Sequence, residues 1–274
     1  MNRIKSVLRY PGSKWRMADW IIDRFPRQDQ YRVYVEPFFG SGAVFFSKEP
    51  SQMEILNDKD DRVVDFFRVC RDSPDKLANA IALTPFSRTE FLSAHEDVSI
   101  EDPVERARQL AVKYWQGIGR MNTRTGWKRD TKNRASNHAR TWAGLPDRIA
   151  PAAQRLKNAQ IECQDAMEVI KDYNDEDVLL YVDPPYVSDT RNGKMYRCEM
   201  ADAVQHKALL NALCAHKGYV IVSGYPSELY DSMLKGWHRD EFDARALNNT
   251  GRTEVVWMNY APEACLRSFL ENSL

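Results

Sequence analysis

The residues with the clearest potential for chemistry are Asp183-Pro184-Pro185-Tyr186, which end an apolar, β-prone run from 178 to 182. The run fits a buried parallel strand, and the two prolines forbid both a helix and further ladder pairing. Each proline also holds the preceding residue in an extended conformation, which predicts a stiff loop at the carboxyl end of a strand, where open α/β sheets bind ligands. One carboxylate, the proline carbonyls and one ring could together satisfy a planar base that carries a primary amine. The alternative is a proline-rich turn that only caps the strand.

A second candidate is Pro37-Phe38-Phe39-Gly40-Ser41-Gly42, which follows a strand predicted from Tyr31 to Glu36. Gly40 and Gly42 allow the backbone to approach a ligand where side chains would collide. A strand, a glycine turn and a helix start are typical of the first unit of a doubly wound sheet. The dinucleotide fingerprint would need a small residue where Phe45 stands, which disfavours a nicotinamide cofactor and leaves one without a pyrophosphate.

Two further groups flank this motif. Asp58 ends a strand predicted from Glu54, eighteen residues after Gly40, about the distance at which such folds place a carboxylate on ribose hydroxyls. A Pro-Gly-Ser turn lies between Tyr10 and Lys14 and leads into a predicted helix. Such a turn can bind an anion, although an ordinary helix cap with surface cations is the alternative.

The elements that must position these groups alternate between strand and helix. After the second strand the pattern is helical from about 60 to 111. Further strands are predicted at 160–163, 178–182, 219–223, 237–242 and 254–260, with helices around 167–170, 201–216 and 226–234 between them. This rhythm predicts an α/β protein with a parallel sheet.

The net charge of zero conceals a basic segment. Between Lys113 and Arg140, eight Lys or Arg residues stand against the single acid Asp130, a local charge of +7 that the rest of the chain balances with −7. Trp115 and Trp127 lie within this segment. Such asymmetry is expected when one part of a protein meets a polyanion, and a solvated face is the alternative.

Cysteine and histidine usage excludes other classes. The five cysteines form no Cys-x-x-Cys pair and no histidines pair at ligand spacing, so neither a disulfide framework nor a metal is expected. No apolar run approaches membrane-spanning length, and the first ten residues lack a signal-peptide core. The sequence predicts a soluble protein of the reducing cytoplasm.

Taken in order, the motifs resemble those of the Dam-like (α-type) DNA adenine-N6 methyltransferase family. The resemblance spans nearly the whole chain and rests on Arg9-Tyr10-Pro11-Gly12-Ser13-Lys14, Phe38-x-Gly40-x-Gly42, Asn57-Asp58, Asp165 and Asp183-Pro184-Pro185-Tyr186. It implies an α/β fold with the seven-stranded, Rossmann-like sheet of methyltransferases that use S-adenosylmethionine (AdoMet), and an inserted, mostly helical target-recognition subdomain. The expected division is a cofactor-binding part at 1–70, target recognition at 71–157 and a catalytic part at 158–274.

The resemblance also implies the role of each motif. AdoMet would lie over the first two loops, with Asp58 on the ribose hydroxyls and Asp165 on the amino group of the cofactor adenine. The implied cofactor contacts are completed by Tyr10, Lys14, Phe38, Gly40 and Gly42, and the implied catalytic residues are Asp183, Pro184, Pro185 and Tyr186. Asp183 and the Pro184 carbonyl would accept hydrogen bonds from the target N6 amine, while Tyr186 would stack on the flipped-out adenine.

The implied partner is double-stranded DNA, with no membrane, no metal and an open oligomeric state. The expected DNA contacts are Arg9, Arg120, Asn122, Arg124, Lys128, Arg129, Lys132 and Arg134. Asn122 and Arg124 have the chemistry to read base edges, and the denser basic run that follows suits phosphates. The residues after Gly126 depart from the DNA-contacting hairpin of the family, so the recognition sequence is open.

Two rivals remain at this stage. One keeps the enzyme but changes the acceptor to cytosine N4, RNA adenine or a protein amide, although cytosine-N4 enzymes usually carry Ser, and protein-glutamine enzymes Asn, where this chain has Asp183. The other is a non-catalytic DNA-binding regulator on the same fold.

Overall fold

A seven-stranded mixed sheet organises the part of the chain that the structure describes. The computed structural model describes residues 4–96, 99–118, 126–130, 137–186, 198, 200, 202–243 and 253–262. Its strands are β1 (Val33–Glu36), β2 (Met53–Asn57), β3 (Ala159–Glu162), β4 (Val178–Val182), β5 (Tyr219–Gly224), β6 (His238–Asp243) and β7 (Thr253–Met258). Across the sheet their order is β3-β2-β1-β4-β5-β7-β6. The strands from β3 to β5 run parallel, and β7 is antiparallel to both β5 and β6.

The strand order reverses at β1. The chain moves from β1 to β2 on one side, and β4 pairs with β1 on the other. Open α/β sheets form a ligand crevice outside the carboxyl ends of their strands at such a switch point. The loops that start with Pro37, Asp58 and Asp183 therefore emerge at one edge of the sheet.

Helices cover both faces of the sheet. Those described are α1 (Ala18–Ile22), α2 (Asp61–Asp72), α3 (Pro74–Ala82), α4 (Arg88–Ser93), α5 (Pro103–Gln116), α6 (His138–Ala143), α7 (Pro146–Leu156), α8 (Ala166–Asp172), α9 (Ala203–Cys214) and α10 (Glu228–Met233). In β4, Leu179 and Tyr181 belong to a core shared with α2, α3, α5 and α7. The alternate residues Val178, Leu180 and Val182 belong to a second core shared with α8, α9 and α10. This period of two follows from the pleat of a strand that is buried on both faces.

Local capping residues start the longer helices between β2 and β3. The Asp60 carboxylate accepts a hydrogen bond from the Arg62 amide at the start of α2, and Asp102 does the same for Val104 at α5. These contacts satisfy amides that have no partner inside the helix. Among the described residues, no helix combines the length and the apolar character needed to cross a membrane.

The predicted fold class is confirmed. Each predicted strand is present, and its ends differ from the prediction by at most two residues. The helix predicted directly after Gly42 does not form: the amides of Phe46 and Lys48 bond to the carbonyls of Gly42 and Val44 at 2.9 Å with helical spacing, but without the consecutive bonds of a helix, so residues 43–48 form only turns. Phe45 and Phe46 are adjacent and both buried, so packing on two sides overrides the amphipathic helix.

Candidate active site

A cleft of about 1000 Å³, including space open to solvent, lies at the carboxyl ends of β1, β2 and β4. Eight of the expected site residues line it: Tyr10, Lys14, Phe38, Gly40, Asp58, Asp165, Asp183 and Pro185. Three others, Gly42, Pro184 and Tyr186, adjoin these residues without forming its wall. Segments far apart in sequence thus converge on one cleft.

The loop after β1 depends on glycine at two positions. Gly40 and Gly42 have φ of 52° and 65°, a left-handed conformation that other residues rarely adopt. A Cβ on Gly42 would lie 2.4 Å from the ring of Phe39 and 2.9 Å from that of Phe46. A Cβ on Gly40 would lie 3.1 Å from the Tyr10 ring, which lines the cleft. The absence of a side chain at Gly42 therefore lets the rings of Phe39 and Phe46 pack against the loop. Its absence at Gly40 leaves room beside the Tyr10 ring in the cleft wall.

Asp58 ties the loops after β1 and β2 together. Its carboxylate accepts hydrogen bonds from the amides of Gly40 at 2.8 Å and Asp60 at 2.9 Å. Burial raises the pKa of Asp58 to about 6, and these two amides oppose the shift. Carboxylate oxygens accept more than one hydrogen bond each, so capacity remains for hydroxyl donors from a ligand.

Asn57 is a positioning residue to which the sequence assigned no role. Its side chain is fully buried at the end of β2. The amide group donates to the carbonyls of Pro37 at 2.9 Å and Gln164 at 3.2 Å, and its oxygen accepts from the Gln164 amide at 2.9 Å. Asn57 therefore fixes the distance between the loops after β1 and β3. In the sequence, this role was indicated only by a polar amide at the end of an apolar strand.

Asp165 starts α8 and lies at the cleft wall. One oxygen accepts from the Met167 amide at 3.0 Å, and the other accepts from Lys59 Nζ at 2.7 Å. The hydrogen bond from Lys59 is the largest of the causes that lower the pKa of Asp165, so the group is ionised at neutral pH. Its expected contact with a cofactor adenine stays a prediction.

Asp183 is held by two different donors. Lys14 Nζ lies 2.7 Å from Oδ1 and 2.9 Å from Oδ2, and Ser223 Oγ donates to Oδ1 at 2.9 Å. Tyr181 lies 3.1 Å from Ser223 Oγ; because the serine proton is directed at Asp183, the tyrosine hydroxyl donates to the serine. Burial lowers the pKa of Lys14, but Asp183 and then Glu254 outweigh it, so the pKa lies above its ordinary value.

The Lys14 ammonium is thus directed at Asp183, a contact that the sequence did not indicate. Ser223 was also missed, since it lies in β5 and reaches Asp183 only through the pairing of β4 with β5.

Tyr186 is enclosed by side chains from three segments. Its hydroxyl donates to Glu254 Oε2 at 2.7 Å, its ring centroid lies 4.2 Å from that of Tyr225, and Lys14 Nζ lies 4.9 Å from the ring centre. The residue is only 8% exposed. Stacking of Tyr186 on a base therefore requires part of these surroundings to move aside.

Glu36, at the end of β1, is a buried carboxyl in the cleft wall that the sequence did not single out. Burial raises its pKa to about 8, although the hydrogen bond from Tyr34, 2.5 Å long, and the charge of Lys48 oppose the shift. Glu36 is therefore largely protonated at neutral pH. An acid that ends an apolar strand was the signal in the sequence.

Within the basic segment from Lys113 to Arg140, the structure describes residues 113–118, 126–130 and 137–140. Arg120, Asn122, Arg124, Lys132 and Arg134 lie outside the described residues. An antiparallel bridge joins Gly117 to Trp127, and the amide of Lys128 donates to the Gln116 carbonyl at 2.8 Å. The chain on either side of residues 119–125 is therefore held together by antiparallel pairing of 116–118 with 126–128, here called the ribbon base.

The three expected DNA contacts that are described differ from one another. The Arg9 guanidinium lies 4.3 Å from the Trp115 ring centre, and Arg129 is exposed. Lys128 Nζ donates to the Trp115 carbonyl at 2.8 Å, a bond that holds the ribbon base on α5. Their contacts with DNA remain predictions.

Among the described strands only β7 runs against the others, and this sheet with a cleft at its switch point is the arrangement of the class of AdoMet-dependent methyltransferases. The loop after β4, which begins with Asp183, adds groups beside that cleft that can accept hydrogen bonds from an amine. Residues 10–247 match the D12 class N6 adenine-specific DNA methyltransferase family, and the chain belongs to it. The family match confirms the predicted enzyme class, an adenine-specific DNA methyltransferase.

Two relatives agree with the family. Type II methyltransferase M1.LlaDCHI of Lactococcus lactis subsp. cremoris is 24% identical over 94% of this chain and 96% of its own. Type II methyltransferase M.MjaIII of Methanocaldococcus jannaschii is 24% identical over 67% of this chain and 69% of its own.

Proposed function

We propose that this protein binds AdoMet in the cleft at the switch point and methylates the N6 amine of an adenine extruded from duplex DNA. The observation that carries the proposal is the convergence on one cleft of Asp58, the glycine loop and an Asp183 carboxylate fixed by Lys14 and Ser223. Bound AdoMet supplies an electrophilic methyl group on a sulfonium.

The cleft wall fits such a cofactor. Asp58 offers a carboxylate for the ribose hydroxyls, and the flat backbone at Gly40 allows close approach. Phe38, Ala166 and Met167 add apolar surface for an adenine ring next to the carboxylate of Asp165. Tyr10 and Lys14 close the opposite part of the wall.

Asp183 is assigned to the acceptor amine. An exocyclic amine conjugated to a purine is a poor nucleophile, and hydrogen bonds to Asp183 and the Pro184 carbonyl favour a pyramidal nitrogen with an available lone pair. Positive charge develops on that nitrogen, so a fixed carboxylate stabilises the transition state more than the ground state. Lys14 and Ser223 orient the carboxylate before the base arrives, so little reorganisation is needed.

Tyr186 is assigned to stacking on the extruded base, with Pro185 keeping the loop stiff. Extrusion costs a few kcal/mol. Stacking on an aromatic ring, worth roughly 1–3 kcal/mol, offsets much of this cost.

Replacement of Asp183 tests the assignment. Asp183→Ala should reduce methyl transfer by about 10²–10³-fold or more, while AdoMet affinity stays within about tenfold because the carboxylate serves the acceptor. The assay is isotope transfer from labelled AdoMet to duplex DNA, with nucleoside mass spectrometry to identify N6-methyladenine.

The matched control is Asp177→Ala, which removes a carboxylate at the opposite end of the same strand, where it pairs with the exposed Arg32. This variant should retain turnover. Near-normal turnover of purified Asp183→Ala, or a product other than N6-methyladenine, would contradict the proposal.

A further inference from the structure

Glu254 reaches the acceptor side of the site from β7, which is separated from β4 by β5. It lies in β7, which pairs with β5 so that Val255 is opposite Gly224 and Val256 is opposite Ser223. This register brings Glu254 to the carboxyl end of β5, beside the loop that follows β4. There its Oε2 accepts a hydrogen bond from the Tyr186 hydroxyl at 2.7 Å.

The contact between Glu254 and Tyr186 is shielded from water. Tyr186 is 8% exposed and Glu254 is partly buried. Burial raises the pKa of Glu254, while the charge of Lys14 and the hydrogen bond from Tyr186 oppose the rise. A phenol that donates to a shielded carboxyl group makes a stronger hydrogen bond than one that donates to water.

This hydrogen bond restricts the orientation of the Tyr186 ring, on which the proposed reaction depends. A tyrosine ring turns about two side-chain torsions. A partner on its hydroxyl restrains the first by fixing the oxygen, and it biases the second because the phenol proton prefers the plane of the ring. The plane of the ring sets the plane of any base stacked on it, and the position of the base sets how its amine meets Asp183. Misplacement by about 1 Å can cost about 10²-fold in rate.

We propose that Glu254 is a positioning residue for the acceptor base, acting through its hydrogen bond to the Tyr186 hydroxyl. The inference rests on the proposed function, in which Tyr186 stacks on the extruded adenine. It deepens that function by assigning the orientation of the ring to a residue in β7.

Four variants test the coupling: Glu254→Ala, Glu254→Gln, Tyr186→Phe and the double variant Glu254→Ala with Tyr186→Phe. Loss of a hydrogen bond to a carboxylate predicts that kcat falls about tenfold in Glu254→Ala and in Tyr186→Phe, and no further in the double variant. Glu254→Gln keeps an acceptor oxygen for the phenol and should retain most of the activity. The KM for AdoMet should be unchanged throughout.

A spectroscopic readout separates positioning from general damage to the fold. A duplex is made with 2-aminopurine at the methylation site, mapped by sequencing DNA from cells that express the protein. Its fluorescence reports how the extruded base is stacked, and Glu254→Ala and Tyr186→Phe should change it in the same way. Glu241→Gln, on the adjacent strand and paired with Arg239, is the matched control and should match the wild type.

The inference is overturned if the losses from Glu254→Ala and Tyr186→Phe are additive, or if Glu254→Gln is as impaired as Glu254→Ala. It is also overturned if Glu254→Ala leaves both kcat and the fluorescence unchanged. Failure of the proposed function itself gives a different result, namely normal turnover in Asp183→Ala.

Discussion

Asp183 receives two contacts that do different work. The Lys14 ammonium lies within 2.9 Å of both of its oxygens and is 4% exposed, so its charge is weakly screened. Ser223 is neutral and fully buried, and it donates to Oδ1 alone. One contact therefore supplies charge and the other supplies direction. In the proposed reaction the acceptor amine uses both, because the charge of the carboxylate stabilises the positive charge that develops on nitrogen and its direction aims it at the N–H group.

The pKa of Asp58 predicts how AdoMet binding responds to pH. In the proposed complex the ribose hydroxyls donate to the ionised carboxylate, and burial raises the pKa of that group from 3.8 to about 6. Protonation removes the acceptor charge, so AdoMet affinity should fall, by up to about tenfold per pH unit, as the pH drops below about 6. Calorimetric titration between pH 5 and 8 measures this dependence.

The control for this titration is Asp165→Asn. The pKa of Asp165 is lowered by Lys59, so removing its charge should leave the dependence around pH 6 in place. Asp58→Asn should abolish the dependence and weaken binding at pH 7.5 by roughly 1.5–3 kcal/mol. An affinity for the wild-type protein that does not change between pH 5 and 7 would show that another group holds the ribose.

At the scale of elements, the loop after β1 is constrained by its own packing. Gly42→Ala would place a methyl group 2.4 Å from the Phe39 ring, in a backbone conformation that alanine rarely adopts. Strain and overpacking together should cost about 2–5 kcal/mol of unfolding free energy. Chemical denaturation measures the loss.

Gly236 separates the two causes of that loss. It also has a positive φ, of 93°, but a Cβ there would have no atom within 4 Å. Gly236→Ala should therefore cost only the backbone term, about 1–3 kcal/mol. Equal losses in the two variants would show that the ring contacts beneath the β1 loop are not rigid.

What could be predicted from the sequence was local. The strand β4 and the acids at strand ends follow from periodicity and from prolines and glycines near those positions, and these features also locate most of the cleft wall. Ser223 and Glu254 could not be predicted as site residues, because each reaches the site only through the register of β5 with β4 or β7. The wrong helix after Gly42 has a related cause, since contacts with distant rings such as Phe67 decide how Phe46 packs.

At the scale of the whole molecule, charge is segregated on a chain with no net charge. The ribbon base, which includes the pair Gly117 and Trp127, is joined to α5 through Lys128, which donates to the Trp115 carbonyl, and Arg9 contacts the ring of the same tryptophan. The first residues of the chain and the base of the ribbon therefore share one tryptophan. In the proposed complex, the cations of the basic segment would meet the phosphates of the duplex.

We expect the basic segment to contain two kinds of residue, those that supply affinity through phosphate contacts and those that supply specificity through base contacts. Arg129 is exposed at the ribbon base and is expected to contact phosphates. Arg129→Ala should weaken binding to cognate and scrambled duplexes alike and reduce the salt slope by about one unit. Arg32→Ala, which removes an exposed arginine paired with Asp177, should leave the slope unchanged.

Arg124, which lies outside the described residues, is expected to read a base edge. Arg124→Ala should therefore cost roughly 1–3 kcal/mol on the preferred site and little on other sequences. Binding isotherms on both duplexes at several salt concentrations measure all three variants. If Arg124→Ala lowers the affinity for both duplexes equally, Arg124 contacts phosphates, and sequence is read by other residues.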